Sequence, residues 1–374
     1  MKLTKNDYFN LMSVVIYFAA HLYIVWQINY GFQVQSPYEY VTGGVIFFMA
    51  ALSVLSLISI KIRLPDFAGF IYRMGQAWMG IFAITAVCLL ANEILNSILN
   101  TDVAFRFWST ASALAISAAL CVWSGVNVGF LLRVKKLHIG VENLKVDRLR
   151  LVFIADTHIN KYTPFRKINK LVDKINLLMP DIFLLGGDFS DDDINETYKL
   201  YGLEKLNAKY GMFAVTGNHE YHLGVEKYVS LCEKLGIRVL RNESVSAGGL
   251  VNVAGINDEF GEKLGKDISD VKKALEKIDP ELPVILLSHK PDPFKEAVKE
   301  SRGIKLVQLS GHTHGGQIPP MGIVGSLFFR YYYGKWEKEN SAIYITSGAG
   351  WWGPPMRLFN VAEIAEIILY RKNK

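Results

Sequence analysis

Cysteine and charge are both scarce in this chain. Three cysteines in 374 residues cannot build a disulfide framework, and no CxxC pair offers a thiolate metal site. Cys88 and Cys121 lie in apolar runs and Cys232 stands alone in a helical pattern, so each reads as a buried, inert thiol. Free thiols are compatible with the cytoplasm. Charged residues make up 20% of the chain and mean hydropathy is +0.19, whereas soluble domains carry about a quarter charged residues. That apolarity excludes a disordered or collagen-like chain.

The shortage of charge is local. Residues 1–150 hold 12 Lys/Arg and 7 Asp/Glu, while residues 151–374 hold 29 and 28. The net charge of +6 therefore splits as +5 and +1, with the excess on the apolar part. A nucleic-acid-binding domain would carry its basic excess on a folded surface, so no nucleic-acid partner is expected. The pattern predicts a membrane region joined to a soluble domain.

Four apolar stretches, about residues 11–28, 41–60, 77–97 and 107–132, approach or exceed the ~20 residues needed to cross a bilayer. Trp26, Tyr30, Tyr38, Tyr40, Trp78 and Trp108 sit near their ends, where aromatic belts belong. Lys2 and Lys5 precede the first stretch as in a signal peptide, but no small-residue cleavage pattern follows it, and it reads as a retained helix. Lys2 and Lys5, then no basic residue in 29–40, then Lys61, Arg63 and Arg73, then Arg106 alone, then six basic residues from Arg133 to Arg150 make an alternating series. The positive-inside rule then predicts a multi-pass inner-membrane protein with both termini and the soluble domain in the cytoplasm. His21 and Glu93 are ionisable residues inside this region; without a chain of polar partners, they leave the four helices as an anchor.

From residue 149 short apolar runs alternate with amphipathic stretches. Leu151–Ala155, Ile182–Leu185, Met212–Val215, Val284–Leu287 and Leu306–Leu309 read as buried strands, and 166–178, 225–235, 268–278 and 292–300 as helices. Apolar stretches near 249–254, 343–346 and 363–370 add strands. An α/β domain over 149–374 with a layered sheet core, mixed or doubled, is predicted, joined to the membrane region by a basic linker at 133–148.

Polar residues follow those strands directly: Asp156-Thr157-His158, Gly186-Gly187-Asp188, Gly217-Asn218-His219-Glu220, Ser288-His289, and Gly311-His312-Thr313-His314-Gly315-Gly316. In open α/β sheets the carboxyl ends of the strands line the ligand crevice. Five of the chain's eight histidines converge there with Asp156, Asp188 and Asn218, and a metal is the usual partner of so many buried polar groups. Asp191–Asp193 reads as a solvated acidic turn.

This ordered set resembles the calcineurin-like metallophosphoesterase superfamily over about residues 147–370. The extended GHTHGGQ run, Arg241-Asn242-Glu243, and Gly353-Pro354-Pro355-Met356-Arg357 resemble a membrane-associated bacterial subgroup. Some of its members are UDP-2,3-diacylglucosamine pyrophosphatases, and others act on less defined phosphodiesters. The resemblance implies that Asp156, His158 and His314 hold one metal, that Asn218, His289 and His312 hold a second, and that Asp188 bridges them. His219 resembles the general acid or transition-state stabiliser, with Glu220 as a residue that could orient it. A mixed nitrogen and oxygen set suits two divalent ions, manganese first, with iron, zinc or cobalt open.

The expected activity is that of a membrane-anchored dinuclear phosphoesterase cleaving a phosphodiester or pyrophosphate, with a lipid-linked nucleotide as one substrate. Its expected partners are a phosphate-ester substrate and the lipid bilayer; no oligomeric state is implied. A phosphomonoesterase or protein phosphatase is the alternative, and an inactive membrane sensor or scaffold the alternative of a different class; the intact ligand set argues against the last. The aromatic and basic segment Phe328–Trp336, with Trp351-Trp352, reads either as a half-buried hairpin or as a surface that dips towards the bilayer.

Overall fold

The computed structural model describes residues 5–61, 67–192 and 198–372. The chain forms two compact units. One comprises the N-terminal residues to Gly129 together with Ile318–Pro320 and Gly353–Leu358; the other comprises Phe130–Gln317, Met321–Trp352 and Phe359 onward.

The first unit is helical: α1 (Lys5–Gly31), α2 (Tyr38–Lys61), α3 (Phe67–Leu99) and α4 (Val103–Phe130). Among the described residues, three spans are long and apolar enough to cross a membrane, Tyr38–Ser56, Gly69–Leu99 and Val103–Phe130. Four helices stand where four were expected; α1 is not among these three spans, and the side chains of its first turns lie outside the described residues. The polar groups of α1 find partners within the unit. The buried His21 places Nδ1 2.8 Å from the Tyr17 carbonyl, accepts from Trp78 Nε1 at Nε2 (3.2 Å), and stacks on Phe82 at 3.9 Å. Gln27 donates to Glu93 (3.2 Å), which pairs with Arg106 at 2.6 Å. Such satisfied contacts fit a packing role, and among the described residues no chain of carboxylates follows from His21.

The two short C-terminal segments complete this unit. Ile318 and Met356 are buried in a cluster with Ile84, and a Cβ on Gly80 would lie 2.5 Å from Met356 Sδ. The Arg357 backbone N–H donates to the Ser124 carbonyl (3.2 Å) and its carbonyl accepts from Asn127 Nδ2 (2.8 Å).

The second unit carries two mixed six-stranded sheets. In chain order its strands are β1 (Leu132–Val141), β2 (Arg148–Ile154), β3 (Ile182–Leu185), β4 (Met212–Ala214), β5 (Ile237–Val239), β6 (Glu243–Ala247), β7 (Val251–Gly255), β8 (Val284–Leu287), β9 (Leu306–Ser310), β10 (Gly334–Lys338), β11 (Ser341–Ile345) and β12 (Ala362–Arg371). The sheets run β1-β12-β2-β3-β4-β5 and β10-β11-β9-β8-β7-β6. Leu151, Phe153 and Leu184 of the first sheet meet Val253, Ile285 and Val307 of the second in one core. The opposite faces are covered by helices. Val152 and Ile154 pack with Ile168 and Val172 of α5 (Phe165–Leu177) and with Tyr228 of α7 (Val225–Lys234), which follows the short α6 (Asn218–Leu223). Leu286 and Ile343 pack with Val271 of α9 (Val271–Ala274) and Phe294 of α10 (Phe294–Glu300); α8 is Phe260–Lys263. Strands covered on both faces must be apolar throughout, which is why they read as unbroken apolar runs.

Two boundaries differ from expectation. The segment 133–148 is no linker: β1 pairs parallel with β12 along its whole length, burying Leu137 and Ile139. Its exposed Arg133, Lys135 and Lys136 mask the alternation that marks a half-buried strand. The helix expected over 268–278 is a single turn, capped by the Asp270 side chain, which accepts from Lys273 N–H.

Candidate metal centre

β2, β3 and β4 run parallel to one another in one sheet, and β8 and β9 do so in the other, so the carboxyl ends in each sheet point to one edge. The chain leaves each strand abruptly. Asp156 (φ 52°), His158 (45°), Asp188 (52°), His312 (70°) and His314 (50°) all adopt left-handed backbone, a strain of roughly 1–3 kcal/mol per residue. Five non-glycine residues held this way within one cluster point to a site whose side-chain directions matter more than local comfort. A Cβ on Gly217 would collide with the Asp188 carboxylate and one on Gly311 with that of Asp156, so glycine is required beside both.

The turns gather the candidate ligands into two groups. Asp156, His158 and His314 bring one ligand atom each within 4.8 Å of one another, as do Asp188, His289 and His312. His158 Nε2 lies 3.0 Å from His314 Nε2, and His312 Nδ1 lies 3.2 Å from His289 Nε2. Asp188 Oδ2 stands 3.2 Å from His289 Nε2 and 3.8 Å from His158 Nε2, so one carboxylate faces both groups. Asn218 presents a buried Oδ1 with no hydrogen-bond partner. A cation answers both features: it accepts the convergent imidazole lone pairs and satisfies the orphaned amide oxygen.

The outer ring nitrogens fix the lone pairs. His158 Nδ1 is 2.7 Å from Asp191 Oδ1 and His289 Nδ1 is 2.8 Å from the Gly186 carbonyl. Each Nδ1–H donates outward, leaving Nε2 to face the cluster. Burial opposes charge at Asp188, but His289, His219 and His158 hold its carboxyl well below the usual range. Burial likewise opposes a charged His289, yet Asp188, Asp156 and Asp258 push it up to about 10. Burial and the neighbouring His289 take His312 down to about 3. Carboxylates that keep a proton on the buried His289 this firmly favour any cation, and divalent ions compete with protons for the same atoms.

His219 begins one residue into α6, its backbone N–H donating to Asp188 Oδ1 (3.0 Å). Its Nδ1 lies 2.8 Å from Asp191 Oδ1 and its Nε2 3.9 Å from Asp188 Oδ2, so Nε2 looks into the cluster. Burial works against a charged ring, but the Asp191 hydrogen bond and Asp188 raise it to about 9.

Two neighbours differ from expectation. Asp191 is not a solvated turn residue: its one carboxylate oxygen meets both His158 and His219, and it is held down at about 2 by those rings against its burial. Its signal was the spacing of three residues after Asp188, obscured by the run of acids that follows; Asp193 lies outside the described residues. Glu220 does not orient the His219 ring. Buried, it accepts from the backbone N–H groups of Asp188 (2.9 Å), Phe189 (2.8 Å) and Gly217 (2.7 Å), pinning two ligand loops to each other. Cys232 is buried with its thiol pushed up, as an inert cysteine should be.

The rim is aromatic. Trp352 stands 6.4 Å from the His219 ring and Phe329 5.5 Å from that of His312. Gln317, the last residue of GHTHGGQ, clamps the Trp352 backbone from both sides, donating to its carbonyl (3.0 Å) and accepting from its N–H (3.1 Å). Of the segment Phe328–Trp336, residues from Gly334 pair antiparallel with β11 and Tyr331 packs on Phe294, as in the hairpin reading. The stretch before it was missed: Met321–Phe328 is a helix, α11.

Comparisons with known proteins point to one family. Residues 149–316 match the family model of the calcineurin-like phosphoesterases. An uncharacterized metallophosphoesterase of Helicobacter pylori strain J99 is 36% identical over 67% of this chain and 68% of its own. One from Campylobacter jejuni is 31% identical over 81% of this chain and 79% of its own. A transmembrane protein with metallophosphoesterase domain from Danio rerio is 33% identical over 70% and 63%.

Two experiments test the centre. Metal analysis of the parent should find two ions per chain, one for each group of ligands. Asp188→Asn should lose both, and Asn218→Ala only one; an Asp188→Asn chain that kept both would remove the bridging role. Asp191→Asn should weaken metal binding roughly 10–100-fold, the usual effect of losing an outer partner of a ligand histidine. Because Asp191 raises His219, the fall of kcat with rising pH should also move to lower pH in that variant. An unmoved alkaline limb would separate Asp191 from His219.

Proposed function

The chain belongs to the calcineurin-like phosphoesterase family, and from that premise we propose that it is a membrane-anchored, dinuclear metal-dependent hydrolase of a phosphodiester or pyrophosphate bond, with a lipid-linked nucleotide as its substrate. The observation that carries this reading is the gathering of Asp156, His158 and His314 in one group and Asp188, His289 and His312 in another, five of the six from strained backbone, beside an unpartnered Asn218 Oδ1.

Asp156, His158 and His314 would hold one ion, Asn218, His289 and His312 the other, with Asp188 between them. The mixed imidazole, carboxylate and amide set suits manganese, with iron, zinc or cobalt as competitors. Two such ions, when bound, would supply positive charge to a phosphoryl group and lower the pKa of a water. The protein does the rest. The Asp191 carboxylate orients the His219 ring and keeps it protonated, so Nε2–H faces the position of the departing oxygen and delivers a proton to it. Glu220 and the glycines keep the loops from relaxing away from the ions.

The membrane half of the proposal rests on three apolar helices and on the placement of charge. Six basic residues lie between Arg133 and Arg150, directly after α4, which favours a cytoplasmic domain at the inner membrane. A cytoplasmic location would also give access to nucleotide-linked substrates.

His219→Ala should lower kcat roughly 10²–10⁴-fold on an alkyl diester, the scale of general acid catalysis. The loss should shrink for nitrophenolate, which leaves without a proton. Equal losses for both leaving groups would assign His219 to stabilising phosphoryl charge instead. For orientation, a cytoplasm-only reporter fused after Lys374 should be active and a periplasm-only reporter silent; the opposite result would overturn the cytoplasmic site.

A further inference from the structure

α11 (Met321–Phe328) is built inside out for a helix of a water-facing domain. A helical period of 3.6 residues puts Gly322, Gly325 and Ser326 on one side and Ile323, Val324, Leu327 and Phe328 on the other. The side turned to the protein is the glycine side. A Cβ on Gly325 would collide with the Tyr332 ring, and Gly322 lies against Gly316 of the ligand loop so closely that a Cβ on Gly316 would meet it. Tyr332 ties the arrangement by donating its hydroxyl to the Met321 carbonyl at 3.4 Å. The apolar side is left outside: Ile323 is 70%, Leu327 79% and Phe328 78% exposed, and no residue of the helix is buried.

An ordinary surface helix turns its apolar stripe to the core. Contiguous exposed apolar surface of this kind marks a partner or a membrane. Three features of the chain select the membrane. Among the described residues, three helices are long and apolar enough to cross a bilayer. Pro320 belongs to that helical unit and Met321, the first residue of α11, follows it directly, so the helix is tied by one peptide bond to the bilayer-spanning part. From Leu306 to Phe329 there is no Asp, Glu, Lys or Arg, and Arg330 then supplies a cation where an interfacial helix would meet lipid phosphate. At the inner end the helix leads straight to the cluster, since Phe329 follows it and its ring lies 5.5 Å from that of His312.

We infer that α11 lies in the headgroup–acyl boundary of the bilayer, glycine side on the ligand loop and Ile323, Leu327 and Phe328 in the lipid, and that it admits a phosphoester carried on a membrane lipid to the cluster beside Phe329. The substrate half of this rests on the phosphoesterase reading; the position of the helix does not.

The test uses the full chain, reconstituted in phosphatidylcholine–phosphatidylglycerol vesicles. With Cys88, Cys121 and Cys232 replaced by alanine, Leu327→Cys carries a nitroxide whose collisions with oxygen and with a water-soluble nickel chelate are measured. Ile323→Cys repeats the measurement one turn away, and Lys234→Cys, on exposed α7, gives the aqueous reference. High oxygen and low nickel accessibility at 327 and 323 is the expected result. Nickel accessibility equal to that at 234 overturns the bilayer assignment, and low accessibility to both quenchers overturns it in favour of a second copy of the chain.

In the second arm, Leu327→Ser/Phe328→Ser is compared with the parent on a diacylglycerol-linked nucleoside pyrophosphate and on soluble bis-nitrophenyl phosphate. The ratio of kcat/KM, lipid to soluble, should fall at least roughly tenfold, the scale of losing apolar contacts of this size. An unchanged ratio overturns the lipid-admitting role. If the metal-loaded parent hydrolyses neither probe while the nitroxide reports lipid, the phosphoesterase reading fails and the placement of the helix stands.

Discussion

The rest of the structure is organised around one buried carboxylate. Asp188 sits at the end of β3 with its own N–H bound by Glu220, its Oδ1 accepting from the His219 N–H, and its Oδ2 facing His289, His158 and His219. A charge taken out of water must be compensated on every side, and here the compensation comes from three different loops, those of His158, His219 and His289. Each loop must therefore hold its place for the others to be tolerable. Glu220 answers this need by accepting from N–H groups of both the Asp188 and Gly217 loops, and the left-handed turns at Asp156, His158, His312 and His314 answer it by aiming side chains that an ordinary strand exit would splay apart. Two sheets sharing one core provide the stiffness behind these turns.

This dependence explains what could be read from the sequence. β3 and β8 are legible to the residue and β2, β4 and β9 to within a few positions, because strands covered on both faces have no polar alternative. Since the chemistry follows strand ends directly, the seven ligand positions and His219 could be picked out by placement alone. Asp191 and Glu220 could not. Their roles depend on which group lies opposite, and an acidic turn or an Asn-His-Glu run has the same appearance whether it faces water or backbone N–H groups. β1 was hidden for a related reason: its pairing with β12 joins residues more than 200 positions apart, and no local pattern records a partner at that distance.

In the helical unit, polar groups carried by apolar helices are matched from one helix to another. α1 is as long as its neighbours, but a helix that offers His21, Gln27 and Asn29 needs matching polar groups from the others. Trp78 meets His21, Glu93 with Arg106 meets Gln27, and the Glu39 carbonyl of α2 accepts from Asn29 Nδ2 at 3.5 Å. The segment Gly353–Leu358 acquires a meaning in the same unit. Gly353-Pro354-Pro355-Met356-Arg357 is too short and too rich in proline to form an element, yet it seats Met356 against Gly80, and the Arg357 backbone donates to the Ser124 carbonyl and accepts from the Asn127 side chain of α4. Its composition records packing rather than chemistry.

α11 shows where pattern reading misplaces a true signal. The aromatic and basic run Phe328–Trp336 drew attention to this part of the chain, but Gly334–Trp336 of that run belong to the β10–β11 hairpin and Tyr331 packs on Phe294. The unexplained apolar surface lies one helix earlier, in Met-Gly-Ile-Val-Gly-Ser-Leu-Phe, where large and small residues alternate about the axis without a single charge. Amphipathic patterns are normally sorted by assuming that large apolar residues point inward and polar ones outward. Here close approach of the backbone to the ligand loop and Tyr332 demands glycine on the inner side, and so the large residues can only be outside. The helix is thus amphipathic in size rather than polarity. Water disfavours its outer face, and only a medium as apolar as the side chains themselves makes such an orientation stable.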